Sequence, residues 1–185
     1  MNVLYVILGV VALVILWIIL AYNRLVTLGY RAKEALSDID IQLKRRYDLI
    51  PNVVETVKGY MQHERVVFEK VTEARARAIS GSGSLNEKAK AEDALSMNLK
   101  TLFAVAENYP ELKANANFLD LQMELADTEN KIQAARRFYN GNIMELNTKV
   151  DTFPTNLIAP SFGFSKLEFF GVESEAEKQP VKVQF

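Results

Sequence analysis

Four sets of polar side chains in this sequence have types and spacings that chemistry could use. The first is His63 with Glu64. A zinc-dependent hydrolase pattern of the HExxH kind would need a second histidine at position 67, which is Val. His63 is the single histidine of the chain, so it reads as a lone surface or capping residue. The second set is the carboxylates Asp40, Asp48 and Glu55. Paired acids can do general acid–base work or hold a di-metal centre inside a helix bundle. Such centres use Glu-x-x-His motifs on facing helices, and residues 111–149 contain no histidine. That site is excluded.

The third set is Lys44, Arg45 and Arg46 beside Asp40 and Asp48. Asp40 and Lys44 are four residues apart, as are Lys44 and Asp48, so each pair shares a helical face. Exposed pairs of this kind contribute only about a few tenths of a kcal/mol. Arg46 differs, because it falls on or near the apolar stripe between Leu43 and Ile50. A cation there either snorkels outward or meets a buried acid from another helix. The fourth set is Glu129, Asn130, Arg136, Arg137, Asn140 and Asn147, which interrupt an apolar pattern near the end of the chain. Together these sets give the candidates for a structural polar network or a partner-binding surface: Asp40, Arg45, Arg46, Asp48, Asn52, Glu55, Glu129, Arg136, Arg137 and Asn140. The structural reading is favoured, since a buried network between long helices fixes their register; the alternative is a cleft for an acidic ligand or a partner peptide. No Gly-rich phosphate cradle or Ser/His/acid set is visible, and the absence of cysteine removes thiol chemistry and disulfides. No catalytic residue, metal site or cofactor is expected.

The elements that must position these residues are helical. The chain has 185 residues with only eight glycines and five prolines, a composition that suits helices. Its 22 basic and 23 acidic residues leave a net charge of -1, which argues against a nucleic-acid partner. From Val3 to Tyr22 no residue is charged, and only Gly9 is neither aliphatic nor aromatic. A helix of this length spans roughly 30 Å, the thickness of a bilayer's hydrocarbon core. The segment lacks the basic start, short apolar run and small-residue exit of a cleaved signal peptide, so it reads as an uncleaved anchor. Two residues precede it, while Arg24, Arg31 and Lys33 follow closely, which favours a cytoplasmic body and an outside N-terminus.

Beyond the anchor, Leu36, Ile39, Leu43, Ile50, Val53, Val57, Tyr60, Val67 and Val71 recur in steps of three and four, with double steps across Arg46 and across Glu64. The stripe keeps its phase on both sides of Pro51. Pro51 therefore either kinks a continuous helix or sits in the first turn of a restarted one capped by Asp48; the constant phase favours the kink. SGSGSLNE at 80–87 is a loop, and Ser84 with Glu87 matches a capping box that starts a helix near Leu85. That helix carries Ala91, Leu95, Leu99, Leu102 and Ala106 and is broken at Pro110. A long helix is expected from Glu111 to Val150, with Leu112, Leu119, Met123 and Ala126 on one face and Leu125, Ile132, Tyr139, Ile143, Leu146 and Val150 on a drifting one. The segment at 153–170 holds five phenylalanines, two prolines and a glycine. It is expected to fold back over apolar surface of the bundle; the alternatives are the bilayer surface or a neighbouring protomer. The final KVQF alternates like a strand but is too short to decide anything.

Several of these stretches resemble the LemA proteins of bacteria. They are YNRLV at 22–26, IDIQLKRRYDLIPNVVETVKGY at 39–60, HE at 63–64, ENYPELKANANF at 107–118, LADTENKIQAARRFYN at 125–140, FPTNLIA at 153–159, GFSKLEFF at 163–170 and the closing PVKVQF. The resemblance implies a four-helix bundle behind one membrane helix, in a bacterial inner-membrane protein without established catalytic activity. It also implies scaffold or adaptor roles in envelope processes, including organelle membrane formation in magnetotactic bacteria, and it supplies no catalytic residues.

The expected architecture is all-α: a single N-terminal transmembrane helix, an up-and-down four-helix-type bundle, and an irregular aromatic C-terminal tail. The expected division is an anchor at 1–23, a bundle at 24–150 with helices near 24–79 (kinked or broken at Pro51), 85–108 and 111–150, and a tail at 151–185. The expected function is a non-enzymatic scaffold of the inner membrane that self-associates and organises membrane proteins. The alternative is an adaptor or regulator of a membrane protease or signalling complex. The expected partners are the lipid bilayer, further copies of the chain and a membrane-protein client.

Overall fold

The computed structural model describes residues 2–61, 63–81 and 83–171. Among these residues every regular element is helical: α1 (Asn2–Lys58), α2 (Arg65–Ser80), α3 (Leu85–Ala106), α4 (Pro110–Lys113) and α5 (Ala116–Asp151), followed by 3-10 turns at Thr155–Leu157 and Pro160–Phe162. The closing PVKVQF lies outside the described residues.

The break after the first long helix falls where the sequence reading does not place it. α1 runs through Pro51 and stops at Lys58, so no helix spans 24–79. Proline at 51 removes the amide that would bond the carbonyl of Tyr47. That carbonyl accepts instead from Nε of Arg75 on α2, at 2.8 Å. A side chain of the neighbouring helix thus replaces the lost backbone bond, and the helix continues. The stop comes at Gly59, a poor helix residue, after which the amides of Tyr60 and Met61 both turn back to the carbonyl of Val57 at 3.0 and 2.9 Å. Core phase changes there. Met61 and Phe68 are buried, whereas Tyr60 is exposed and Val67 only half-buried.

α3 begins with the capping box that its sequence predicts. Ser84 Oγ accepts from the Glu87 amide at 3.2 Å, and the Glu87 carboxylate accepts from the Ser84 amide at 3.1 Å. Tyr109, held extended at φ -115 and ψ 90 by the proline behind it, ends that run. The expected helix from Glu111 is interrupted: α4 is one turn, and Asn115 restarts α5 by accepting from the Phe118 amide at 3.0 Å. The restart resets the phase. Leu119 and Met123 are therefore exposed, and the buried face is the one through Phe118, Leu125, Ile132, Tyr139, Ile143, Leu146 and Val150.

Two compact units result, with boundaries unlike those expected from the sequence. One comprises the described residues of Met1–Ile39 and Ala135–Glu168; the other comprises those of Asp40–Ala134 and Phe169–Phe185. The four-helix bundle belongs to the second unit, where α1, α2, α3 and α5 surround a core including Val53, Val57, Phe68, Val71, Leu95, Leu102 and Leu125. In the first unit only α1 and α5 are long helices, and the aromatic segment packs on them. Leu25, Leu28, Leu146, Val150 and Ala159 form its small core, with Phe164 against it. Ahead of that core, an 18-residue apolar window of α1 has no buried residue, and the helix is long and apolar enough to cross a membrane.

Candidate functional site

Arg46 is the largest fully buried side chain of the second unit, with 1% of its surface exposed. Along α1 the buried positions step from Ile39 to Leu43, Arg46, Ile50, Val53 and Val57, so the cation occupies a full place in the core stripe. Its guanidinium divides between two acids. Nη2 donates to the carboxylate of Glu92, itself 1% exposed, and Nη1 donates to Glu129 at 2.6 Å and to Ser96 Oγ at 2.7 Å. Ser96 Oγ also donates to Glu129 at 3.2 Å, and Gln133 Nε2 donates to the other oxygen of Glu129 at 3.2 Å. The second Glu92 oxygen accepts from the hydroxyl of Tyr47. Burial, and then the hydrogen bond and negative charge of Glu92, push the Tyr47 hydroxyl above its ordinary value of 10.0, which keeps it a neutral donor.

These contacts tie four helices together. Arg46 and Tyr47 come from α1, Glu92 and Ser96 from α3, and Glu129 and Gln133 from α5, while Arg75 of α2 holds the Tyr47 carbonyl. A charge this deep is tolerable only because it is matched and hydrogen-bonded. The desolvation of an ion pair consumes much of its Coulombic gain, and removing one partner leaves the other uncompensated. Beside it, between α3 and α5, lies a cavity of about 290 Å³ lined by Arg46, Ser96, Leu99, Phe103, Leu125 and Glu129 among others. Arg46 and the Glu129 carboxylate reach this cavity already engaged with each other.

The remaining candidates separate from this centre. Asp40 pairs with Lys88 at 2.6 Å and Arg45 with Glu124 at 2.9 Å, both between helices and partly exposed. Asp48 pairs with Lys44 at 2.8 Å and Glu55 with Lys58 at 2.8 Å on the exposed surface of α1. Asn52 is exposed. Arg136, Arg137 and Asn140 belong to the first unit; Arg136 and Asn140 are half-buried and Arg137 is exposed. Asn147 binds the backbone of Leu167 through both ends of its amide, each bond 2.9 Å. His63 is exposed, and Glu64 accepts from the Tyr109 hydroxyl at 3.2 Å. Among the described residues no three His, Asp or Glu side chains converge as metal ligands.

Sequence reasoning did not single out Glu92, Ser96 or Tyr47. A signal for Glu92 was present: Ala89, Glu92, Leu95, Leu99 and Leu102 are spaced by threes and fours, which puts a carboxylate on the buried face of α3. Two in-phase interruptions of opposite charge on two helices mark a buried pair. Ser96 and Tyr47 flank their stripes and carry no comparable signal.

A model described as LemA family matches residues 35–185. Magnetosome protein MamQ of Magnetospirillum gryphiswaldense is 23% identical over 178 residues, covering 83% of this chain and 65% of that protein. Magnetosome protein MamQ 2 of Paramagnetospirillum magneticum has the same identity and coverage. The chain thus spans 65% of the length of these curated relatives. Protein LemA of Metamycoplasma hominis is 26% identical over 159 residues, covering 86% of this chain and 72% of its own.

Proposed function

The chain belongs to the LemA family, and from that premise we propose that it is a non-enzymatic scaffold of the bacterial inner membrane that self-associates and organises membrane-protein partners. The observation that carries this reading is the change of character within α1. Val3 to Leu16 are exposed on every face, although nearly all are apolar, whereas from Leu25 onward the same helix buries one stripe. A helix apolar all round belongs in lipid, and an amphipathic one belongs in a bundle. The polar centre of the bundle supports the same reading, because its ion pairs are spent on helix–helix contact. Arg24, Arg31 and Lys33 follow the apolar run, a charge bias that supports a bundle on the cytoplasmic side.

An adaptor for a single client is the second reading, favoured by the α3–α5 cavity and by the exposed Leu119 and Met123 on α5. Residue-specific crosslinking in intact membranes separates the two. Dominant self-links support the scaffold, and one dominant foreign partner supports the adaptor. The chain contains no cysteine, so single cysteines introduced near residue 30 test topology directly. Labelling by an impermeant reagent from outside intact cells would contradict the cytoplasmic placement.

A further inference from the structure

The aromatic segment after α5 carries two sets of apolar side chains that face differently. Ala159 and Phe164 point inward, toward Leu25, Leu28, Leu146 and Val150. Phe153, Leu157 and Phe162 do not: they are 78%, 66% and 47% exposed. Their level along α1 is fixed by contacts within the first unit. The rings of Phe162 and Phe164 lie 5.1 and 5.9 Å from that of Tyr22, the last residue of the apolar run. Past Phe164 the chain returns along α5, Leu167 bonding Asn147 and Glu168 accepting from the Tyr139 hydroxyl at 2.9 Å. The C-terminal end of α5 therefore points toward the apolar run. Arg24 pairs with Glu145, and Asp151, six residues later, lies about 9 Å further in that direction at the helical rise. Trp17, Ile18 and Ala21 are half-buried while Val3–Leu16 are exposed, so the run is partly covered only in its last turns.

Bulky apolar side chains exposed together mark an interaction surface. Phenylalanine and leucine on a short polar-backed segment suit the boundary between headgroups and acyl chains. Continuity with the apolar run identifies the occupant. We propose that residues 153–162 form a second membrane contact, in which Phe153, Leu157 and Phe162 insert into the interfacial layer of the same bilayer that α1 crosses. The proposal rests on the reading of α1 as a membrane anchor. A lone helix rotates and tilts freely in a bilayer; a second contact beside its exit fixes both, and so orients the first unit against the membrane surface.

The test uses the full chain in vesicles of phosphatidylcholine and phosphatidylglycerol carrying bromine at shallow acyl positions. Native Trp17 reports the anchor. In a W17F background, F153W and L157W each report the segment, and F138W, at a position 58% exposed on α5, reports the aqueous side. The expected result is quenched Trp17, blue-shifted F153W and L157W that lose most of their emission, and unquenched F138W. If Trp17 is quenched but F153W and L157W behave like F138W, the second contact is overturned and the anchor stands. Blue-shifted but unquenched F153W and L157W mean cover by protein, such as a second copy, and overturn it equally. Unquenched Trp17 overturns the anchor reading itself.

Discussion

Arg46 concentrates the consequences that a single side chain has in this fold. Its replacement by methionine leaves Glu92 buried without a counter-charge. R46M should therefore lower the stability of the detergent-solubilised chain by about 3–5 kcal/mol, measured by chemical denaturation. Adding E92L should recover much of that loss; a double variant no better than R46M would contradict a matched pair. Tyr47 gives the pH dependence. Its hydroxyl pKa is raised in the folded state, so the folded chain holds the proton more tightly than the unfolded one. The stabilisation is complete below pH 10, the ordinary value, and is lost as the pH rises beyond it. Melting temperature should fall above pH 10 in the native chain and fall less steeply in Y47F. At this scale the sequence exposed Arg46, because a cation in an apolar stripe has no bland explanation. Glu92 escaped because Ala89 and Ala91 make the start of α3 weakly patterned, and a carboxylate among polar neighbours looks like surface.

At the scale of elements, the instructive pair is Pro51 and Gly59. The two gaps in the apolar stripe, at Arg46 and at Glu64, are identical in sequence spacing but differ in cause. The first is a polar residue inside a continuous helix, and the second is the connection between α1 and α2. Periodicity cannot separate them, because a short connection can preserve apparent phase while the helix behind it shifts by one residue to Phe68. Nor does sequence reveal that Arg75 would satisfy the carbonyl freed by Pro51, since the two are 28 residues apart from carbonyl to guanidinium. R75M should cost about 1–3 kcal/mol in the native background but clearly less in P51A, where the new amide serves the Tyr47 carbonyl. Equal losses in both backgrounds would contradict the substitution of one bond for the other. Local chemistry was more legible: Ser84 and Glu87 announce the start of α3, and S84A should cost about 1 kcal/mol in thermal unfolding.

At the scale of the whole molecule, all-α architecture and the apolar N-terminal helix follow from composition and periodicity alone. The division into units does not. The helical stretches of residues 24–150 all look amphipathic, yet α2 and α3 span only 16 and 22 residues beside the 36 of α5, so four helices share the second unit and two share the first. Helix lengths, not patterning, decide how far a bundle extends, and the lengths turn on the break at Gly59, which the apolar stripe conceals. The aromatic segment takes up the surface that two helices leave open, with Ala159 and Phe164 facing inward. The proposed scaffold requires self-association of the membrane-anchored chain. Light scattering of the full chain in mild detergent, with bound detergent subtracted, tests it most directly. A scaffold predicts a protein mass several times the 20.9 kDa of one chain, whereas a particle of 20.9 kDa at every concentration would contradict it.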